Sequence, residues 1–388
     1  MAPVTHRVDA PHGPSPRPLL TAHAFATALR HAGGLAELAG QLGSEITALV
    51  QEVHAQSGPL AGLIARGPAA GAYGGIRLGF GAARHLGALG GRLAPRDPVP
   101  DPWLDVQSAL NGAFGHLFDP RGGFALPMSL LRRAGAPGSA RLVVFLHGLC
   151  LNERCWDAPA HARFVAWAQG ALGAGVAYLR YNTGLRISQS GARLAALLER
   201  EAREGELILV GHSMGGLVAL SALHQAREAG LDWPRRVGRV ACLGSPHEGT
   251  SLERLANHAN WLLAVSPWSR PFMRLANLRS DGIRDLRFGH VLDGDWRDRT
   301  PDDRRPASSA VTLAPGVDHL LVAAARSGRG EADPLGDWLV PVASALARHL
   351  HPERAARREL IPELDHLGLL GDPRVYGLLR AWLGCRGA

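Results

Sequence analysis

Residues 207–216 read LILVGHSMGG. The apolar run Leu207–Val210 stops at Gly211, His212, Ser213, Met214, Gly215 and Gly216. A short apolar run bounded by glycine reads as a buried strand, and the LVALSAL that follows reads as a helix. Glycine two positions before and two after a serine, at a strand-to-helix junction, is the pattern of a nucleophile elbow. The turn is so tight that Gly211 and Gly215 must be very small, and it projects the serine above the sheet edge. The alternative is a plain glycine-rich turn. A serine hydroxyl in water is a poor nucleophile, so the elbow reading needs a base, an acid to orient it and an oxyanion site elsewhere in the chain.

Upstream, the apolar strand RLVVFL (141–146) runs into His147-Gly148-Leu149. A His-Gly pair there turns a backbone N–H towards the serine, so the expected oxyanion donors are the amides of Leu149 and Met214. His147 and Gly148 are expected to support that loop, with His147 orienting or packing and not acting as the base. Downstream, the strand Leu320–Ala325 is followed by GDWLVPVASA (336–345), which offers Asp337 as the acid. Asp333 and Asp318 are rivals, but Asp318 precedes the strand and falls at the wrong end of the sheet. A helix cap is the other reading of an aspartate here. Near the C-terminus, IPELDHLGLL puts His366 after a short strand (Glu359–Pro362) and before a final helix (Pro373–Leu383). The order Ser213, Asp337, His366 is the one expected when serine attacks, histidine moves the proton and aspartate holds the imidazole.

Around these segments strands and helices alternate. Helices are expected over 160–174, 188–204, 214–229 and 339–350, with strands at 176–181 and 237–243. That rhythm predicts an α/β fold, a mostly parallel sheet covered by helices on both faces. It breaks between Thr250 and Pro306, where a helical cap insertion is expected, its second half (DGDWRDRTPDDRRP) a charged, solvated loop. In the first half, Trp261, Trp268 and Phe272 are expected to form an apolar wall over the substrate pocket. Residues 1–18 read as a Pro-rich disordered tail, and 19–103 as a helical extension and linker ending in APRDPVPDP. Residues 104–388 read as the catalytic domain.

FLHGL, GHSMGG, LGSPHEG, GDWLVPVASA and LDHLGLL, in that order, resemble the lipase and esterase branch of the α/β-hydrolases. They look like bacterial proteins related to the GPI inositol-deacylase and triacylglycerol-lipase groups. The resemblance runs from about Phe124 to the C-terminus. It implies a serine hydrolase acting on carboxylic esters, with small-molecule or lipid ester substrates and no cofactor. An acyltransferase would use the same triad, and a non-catalytic lipid-associating scaffold could be built on the same fold.

Charge and composition bound the remaining readings. The formal charge is +8 and every basic residue is arginine, scattered among acidic residues. That argues against a nucleic-acid face, which clusters cations, and leaves weak attraction to an anionic membrane surface open. The four cysteines have no metal-ligand spacing, no HExxH is present, and Cys150 and Cys155 are expected to be free thiols. No signal-peptide pattern opens the chain, which points to a cytoplasmic protein. In the extension, Gly71, Gly75 and Gly79 recur four apart, as do Gly87 and Gly91. Such spacing serves either close helix packing or contact of the N-terminal helices with a lipid surface.

Overall fold

The computed structural model describes residues 32–48, 50–51, 67–93, 103–118, 124–133, 139–202, 204–250, 280–287, 289–298, 313–327, 336–348 and 356–384. Seven strands form one sheet: β1 (Ser129–Arg133), β2 (Arg141–Leu146), β3 (Ala174–Arg180), β4 (Glu206–His212), β5 (Val237–Leu243), β6 (Asp318–Ala325) and β7 (Ala356–Pro362). Their order is β1-β3-β2-β4-β5-β6-β7. All neighbours are parallel except β1, which pairs antiparallel with β3 at one edge. The edge position suits the stretch that begins just after Pro127.

The helices are α1 (residues 32–48), α2 (Pro68–Leu93), α3 (Leu104–Phe114), α4 (Pro159–Leu172), α5 (Ile187–Glu201), α6 (Met214–Glu228), α7 (Asp281–Asp285), α8 (Val342–Ala345) and α9 (Pro373–Gly384). Alternate strand residues point to opposite faces, and both faces are covered. Leu142, Val144 and Leu146 pack with Leu194 and Leu198 of α5 and Leu217 and Val218 of α6. Val143 and Phe145 pack on the other side with Phe164 of α4 and Val375 and Leu379 of α9. This double burial is why the inner strands read as continuous apolar runs. It also brings the C-terminal ends of β2, β4 and β6 to one edge, where open α/β sheets bind their ligands.

Two local expectations need correction. The helix expected over 339–350 is the single turn α8, because Pro341 opens it and Ala347 takes a left-handed φ of 49° just after it. The charged half of the insertion is not wholly a solvated loop. Asp295 is buried and accepts the Val291 and Leu292 amides at 3.0 Å, while Asp293 accepts the Ser188 hydroxyl of α5 at 2.6 Å. Trp296 donates to the same Ser188 oxygen and lies under the Arg186 guanidinium. Trp261, Trp268 and Phe272, along with Asp333, lie outside the described residues. Cys150, Cys155 and Cys242 are free thiols.

Candidate active site

Ser213 sits between β4 and α6 with φ 54° and ψ −124°, a strained conformation for a residue with a side chain. The two flanking glycines make the turn possible. A Cβ on Gly211 would lie 2.3 Å from the Gly216 nitrogen, and one on Gly215 would lie 2.4 Å from the Leu146 oxygen. Both contacts are with backbone, so no side-chain movement could relieve them. The Ser213 amide is held by the Leu243 carbonyl at 2.8 Å, which ties the elbow to the end of β5.

The loop after β2 is held against this elbow. A Cβ on Gly148 would come 3.0 Å from the Ser213 Cβ. Tyr181 donates its hydroxyl to the His147 carbonyl at 2.9 Å, and the Cys150 amide donates to Thr183 Oγ1 at 3.0 Å, with Cys150 itself at φ 62°. These bonds from the end of β3 fix the loop on both sides of Leu149. His147 is fully buried, and its Nδ1–H donates to the Gly148 carbonyl at 3.0 Å. Burial pulls its pKa down to about 4, so it is a neutral support of the loop.

Asp337 and His366 meet directly. His366 Nδ1 donates to Asp337 Oδ2 at 2.6 Å, and both side chains are buried. The other carboxylate oxygen, Oδ1, accepts the amides of Leu339 at 3.0 Å and Val340 at 2.8 Å. Those bonds leave Oδ2 aimed at the imidazole. Since Nδ1 carries the proton, the lone pair of the neutral ring lies on Nε2. Asp318 is the first residue of β6, at the opposite end of that strand. Gly244, at φ 62°, passes beneath the imidazole, where a Cβ would lie 3.3 Å from His366 Cε1.

His212 is a neighbour that sequence reasoning missed. Its Nε2–H donates to the His366 carbonyl at 3.0 Å, and the two rings are 4.8 Å apart. Burial, then the nearby His366, pushes its pKa down to about 3. It therefore braces the His366 loop as a neutral group. The only sequence signal was its place beside Ser213.

Ser213 and His366 line one cavity of about 260 Å³, together with Leu149, Leu151, Ile283, Leu286, Val340 and other apolar neighbours. Two of these come from the insertion, which is clamped in place. Asp285, buried, takes Arg186 Nη1 at 2.6 Å on one oxygen and the Ile187 amide at 2.8 Å on the other. It thus caps the N-terminus of α5 from outside the helix. Ser280 caps α7 at the Ile283 amide and also donates to the Gly112 carbonyl. Among the described residues, no group of three or more His, Cys, Asp and Glu side chains is placed to hold a metal ion.

The sheet order, the elbow at the end of β4 and the His-Gly loop beside it define an α/β hydrolase. Residues 143–376 match the alpha/beta hydrolase family, and the chain belongs to that family. Among solved structures, the chain is similar to mature lipase BlEst2 of Bacillus licheniformis, with 21% identity over 66% of this chain and 97% of that one and a TM-score of 0.42. It is also similar to a malate-bound esterase from Thermogutta terrifontis (16%, 67% and 93%, TM-score 0.40). Carboxylesterase CesB of Bacillus subtilis is a third (12%, 67% and 88%, TM-score 0.41). No curated protein matches the sequence.

Proposed function

We propose that the protein is a carboxylic ester hydrolase of the lipase and esterase kind, working through an acyl-enzyme on Ser213. The observation that carries this reading is the Asp337–His366 hydrogen bond of 2.6 Å, with His366 lining the same cavity as the strained Ser213. His366 Nε2 takes the Ser213 proton as Oγ attacks the ester carbonyl. The resulting oxyanion is held by the Leu149 and Met214 amides, at the positive end of α6. Collapse breaks the carbon–oxygen bond to the alcohol, which leaves with the proton from His366. Water then attacks the acyl-enzyme by the same route in reverse, releasing the acid. Asp337 holds the ring and stabilises its charged form throughout.

The largely apolar cavity wall supports an acyl group without charge, small enough for about 260 Å³. Ile283 and Leu286 are the residues expected to sense its length, held there by the Asp285–Arg186 clamp. The LGSPHEG segment (243–249) supports a lipase-like member, of the GPI inositol-deacylase-related or triacylglycerol-lipase-like kind. On this reading the hydrolase unit is residues 104–388 with an insertion at about 250–306, and residues 19–103 are an extension.

The test is labelling by a fluorophosphonate together with turnover of p-nitrophenyl esters of increasing chain length. Wild type is expected to label and to turn over the shorter esters. Ser213→Ala is expected to do neither, and labelling of that variant would remove Ser213 as the nucleophile.

A further inference from the structure

The two N-terminal helices bury Leu38 and Ala88 but leave much of their apolar surface outside. Between residues 70 and 90 of α2, every exposed position is Gly, Ala, Ile or Leu, with His85 the one ionisable group. Ile76, Leu78, Leu86 and Leu89 are all at least half exposed or nearly so, Leu78 at 76%. On a helix of 3.6 residues per turn these positions share one half of the circumference, along about 20 Å. The charged residues of the same stretch, Arg77 and Arg84, point the other way. Arg77 donates to Gln51, and Arg84 lies against Gly40 of α1. The exposed positions of α1, among them Leu35 and Ile46, are likewise uncharged.

Along one edge of the α2 face runs a polar cavity of about 370 Å³ between the helices and the turn after α3. Its ionisable lining is Glu37, Arg84, His85, Arg92 and His116. Burial lowers the pKa of His116, which leaves the two arginines as its cations, and burial raises the Glu37 carboxyl to about 6. An uncharged helical face bordered by arginines is the form of a helix that lies in a lipid–water boundary. Anionic headgroups would complement the arginine at its edge, Arg92. No helix among the described residues is long and apolar enough to cross a membrane.

We propose that the outward face of α2, with the Arg84–Arg92 cavity at its edge, docks the protein on an anionic phospholipid surface. The leucines enter the acyl boundary, and Arg92, exposed at the edge of the face, meets headgroup phosphates. The proposal is independent of the chemistry at Ser213.

The experiment is co-sedimentation of the full chain with vesicles of mixed phosphatidylglycerol and phosphatidylcholine, beside vesicles of phosphatidylcholine alone. Binding is expected on the anionic vesicles, weaker on the neutral ones, and falling as salt rises. Leu78→Glu and Leu86→Glu should each lower the partition by at least about tenfold. Arg92→Gln should lower it several-fold on anionic vesicles only. All three should keep the wild-type circular dichroism, thermal midpoint and turnover of a soluble ester. Absence of binding to anionic vesicles, or wild-type binding by both leucine variants, would overturn the proposal. So would light scattering that shows a dimer abolished by Leu78→Glu with no vesicle binding, which would assign the face to a second copy.

Discussion

The sheet with its flanking helices and the N-terminal pair α1–α2 differ in how much of their apolar surface they bury. In the sheet, apolar side chains go in and the buried carboxylates around its edge are paired. Asp337 accepts three hydrogen bonds and Asp285 takes an arginine and a helix amide. In the N-terminal pair, Glu37 and Thr47 are inside beside Leu38 and Ala88, while Leu35, Leu78 and Leu86 are outside. Glycines mark the same contrast. Gly211 and Gly215 have backbone packed where a Cβ would go, whereas Gly71, Gly75 and Gly79 face open space. One region is built so that atoms hold fixed positions at the elbow. The other leaves apolar side chains exposed among the described residues.

The sharpest way to test the first half of that contrast is to remove one partner of the buried Asp337–His366 pair. Asp337→Asn keeps the shape but cannot hold His366 with its proton on Nδ1. In a well-studied serine triad the same change lowers kcat about 10⁴-fold, and a loss of that order is expected here in p-nitrophenyl ester turnover. The thermal midpoint should move little by comparison. A variant with near-wild-type kcat would mean that the buried Asp337–His366 pair is structural. Next in size is Gly211→Ala. Its methyl would press on the backbone of Gly216, so either the elbow opens or the strand shifts, and a cost of about 3 kcal/mol or more is expected. Urea unfolding would show it, together with lost fluorophosphonate labelling. A stable, fully labelled Gly211→Ala protein would show that the elbow is looser than described.

Much of this region could be read from the chain alone, because its information is local. The elbow and the His-Gly loop each sit at a strand end that an apolar run announces, and Asp337 and His366 follow them in chain order. What could not be read depends on distant partners. Asp285 reaches α5 across 98 residues, and His212 reaches His366 across 154. Neither pairing leaves a periodic trace. The apolar stretch after Pro341 has helical spacing, but a helix there is cut short by the turn at Ala347. In α2 the glycine spacing is visible and reads first as close packing, with lipid contact as the other reading. Gly87 does pack tightly, with a Cβ position 2.4 Å from the Gly33 oxygen, while its neighbours on the opposite face touch nothing.

Acid should pull the two regions in opposite directions. His147 and His212 are neutral in the fold, with pKa values of about 4 and about 3. Above the unfolded value of roughly 6.5 neither state binds the extra proton, so there is no penalty. Below it the unfolded chain gains protons that the fold refuses, and stability falls as pH falls. By about pH 5 each histidine costs about 2 kcal/mol. Glu37 has the reverse sign. Its carboxyl is raised to about 6 by burial, so the fold binds the proton more tightly than the unfolded chain does. Stability there is lost as pH rises through about 6 and regained in acid, by about 1 kcal/mol at pH 5. Amide exchange, corrected for its intrinsic pH dependence, should show β2 and β4 opening more easily at pH 5 than at pH 7. Residues 32–48 should open less easily, and Glu37→Gln should remove that gain. A change of the same sign in both regions would break the contrast.

The smallest effect tests the open side of α2 directly. Gly75 lies in the middle of a 26-residue helix, and a Cβ there meets nothing within 4 Å. Alanine in a helix interior is favoured over glycine by about 1 kcal/mol, because the unfolded chain loses less freedom on folding. Gly75→Ala should therefore raise the stability of α2 by about that amount, seen as slower amide exchange over residues 68–93. The same substitution at Gly87 should lower it, since the new methyl would strike the Gly33 backbone and push α1 away. If both substitutions stabilise, α1 and α2 do not cross at Gly87. If both destabilise, the face at Gly75 is already covered, and the outward apolar surface on which lipid docking rests does not exist.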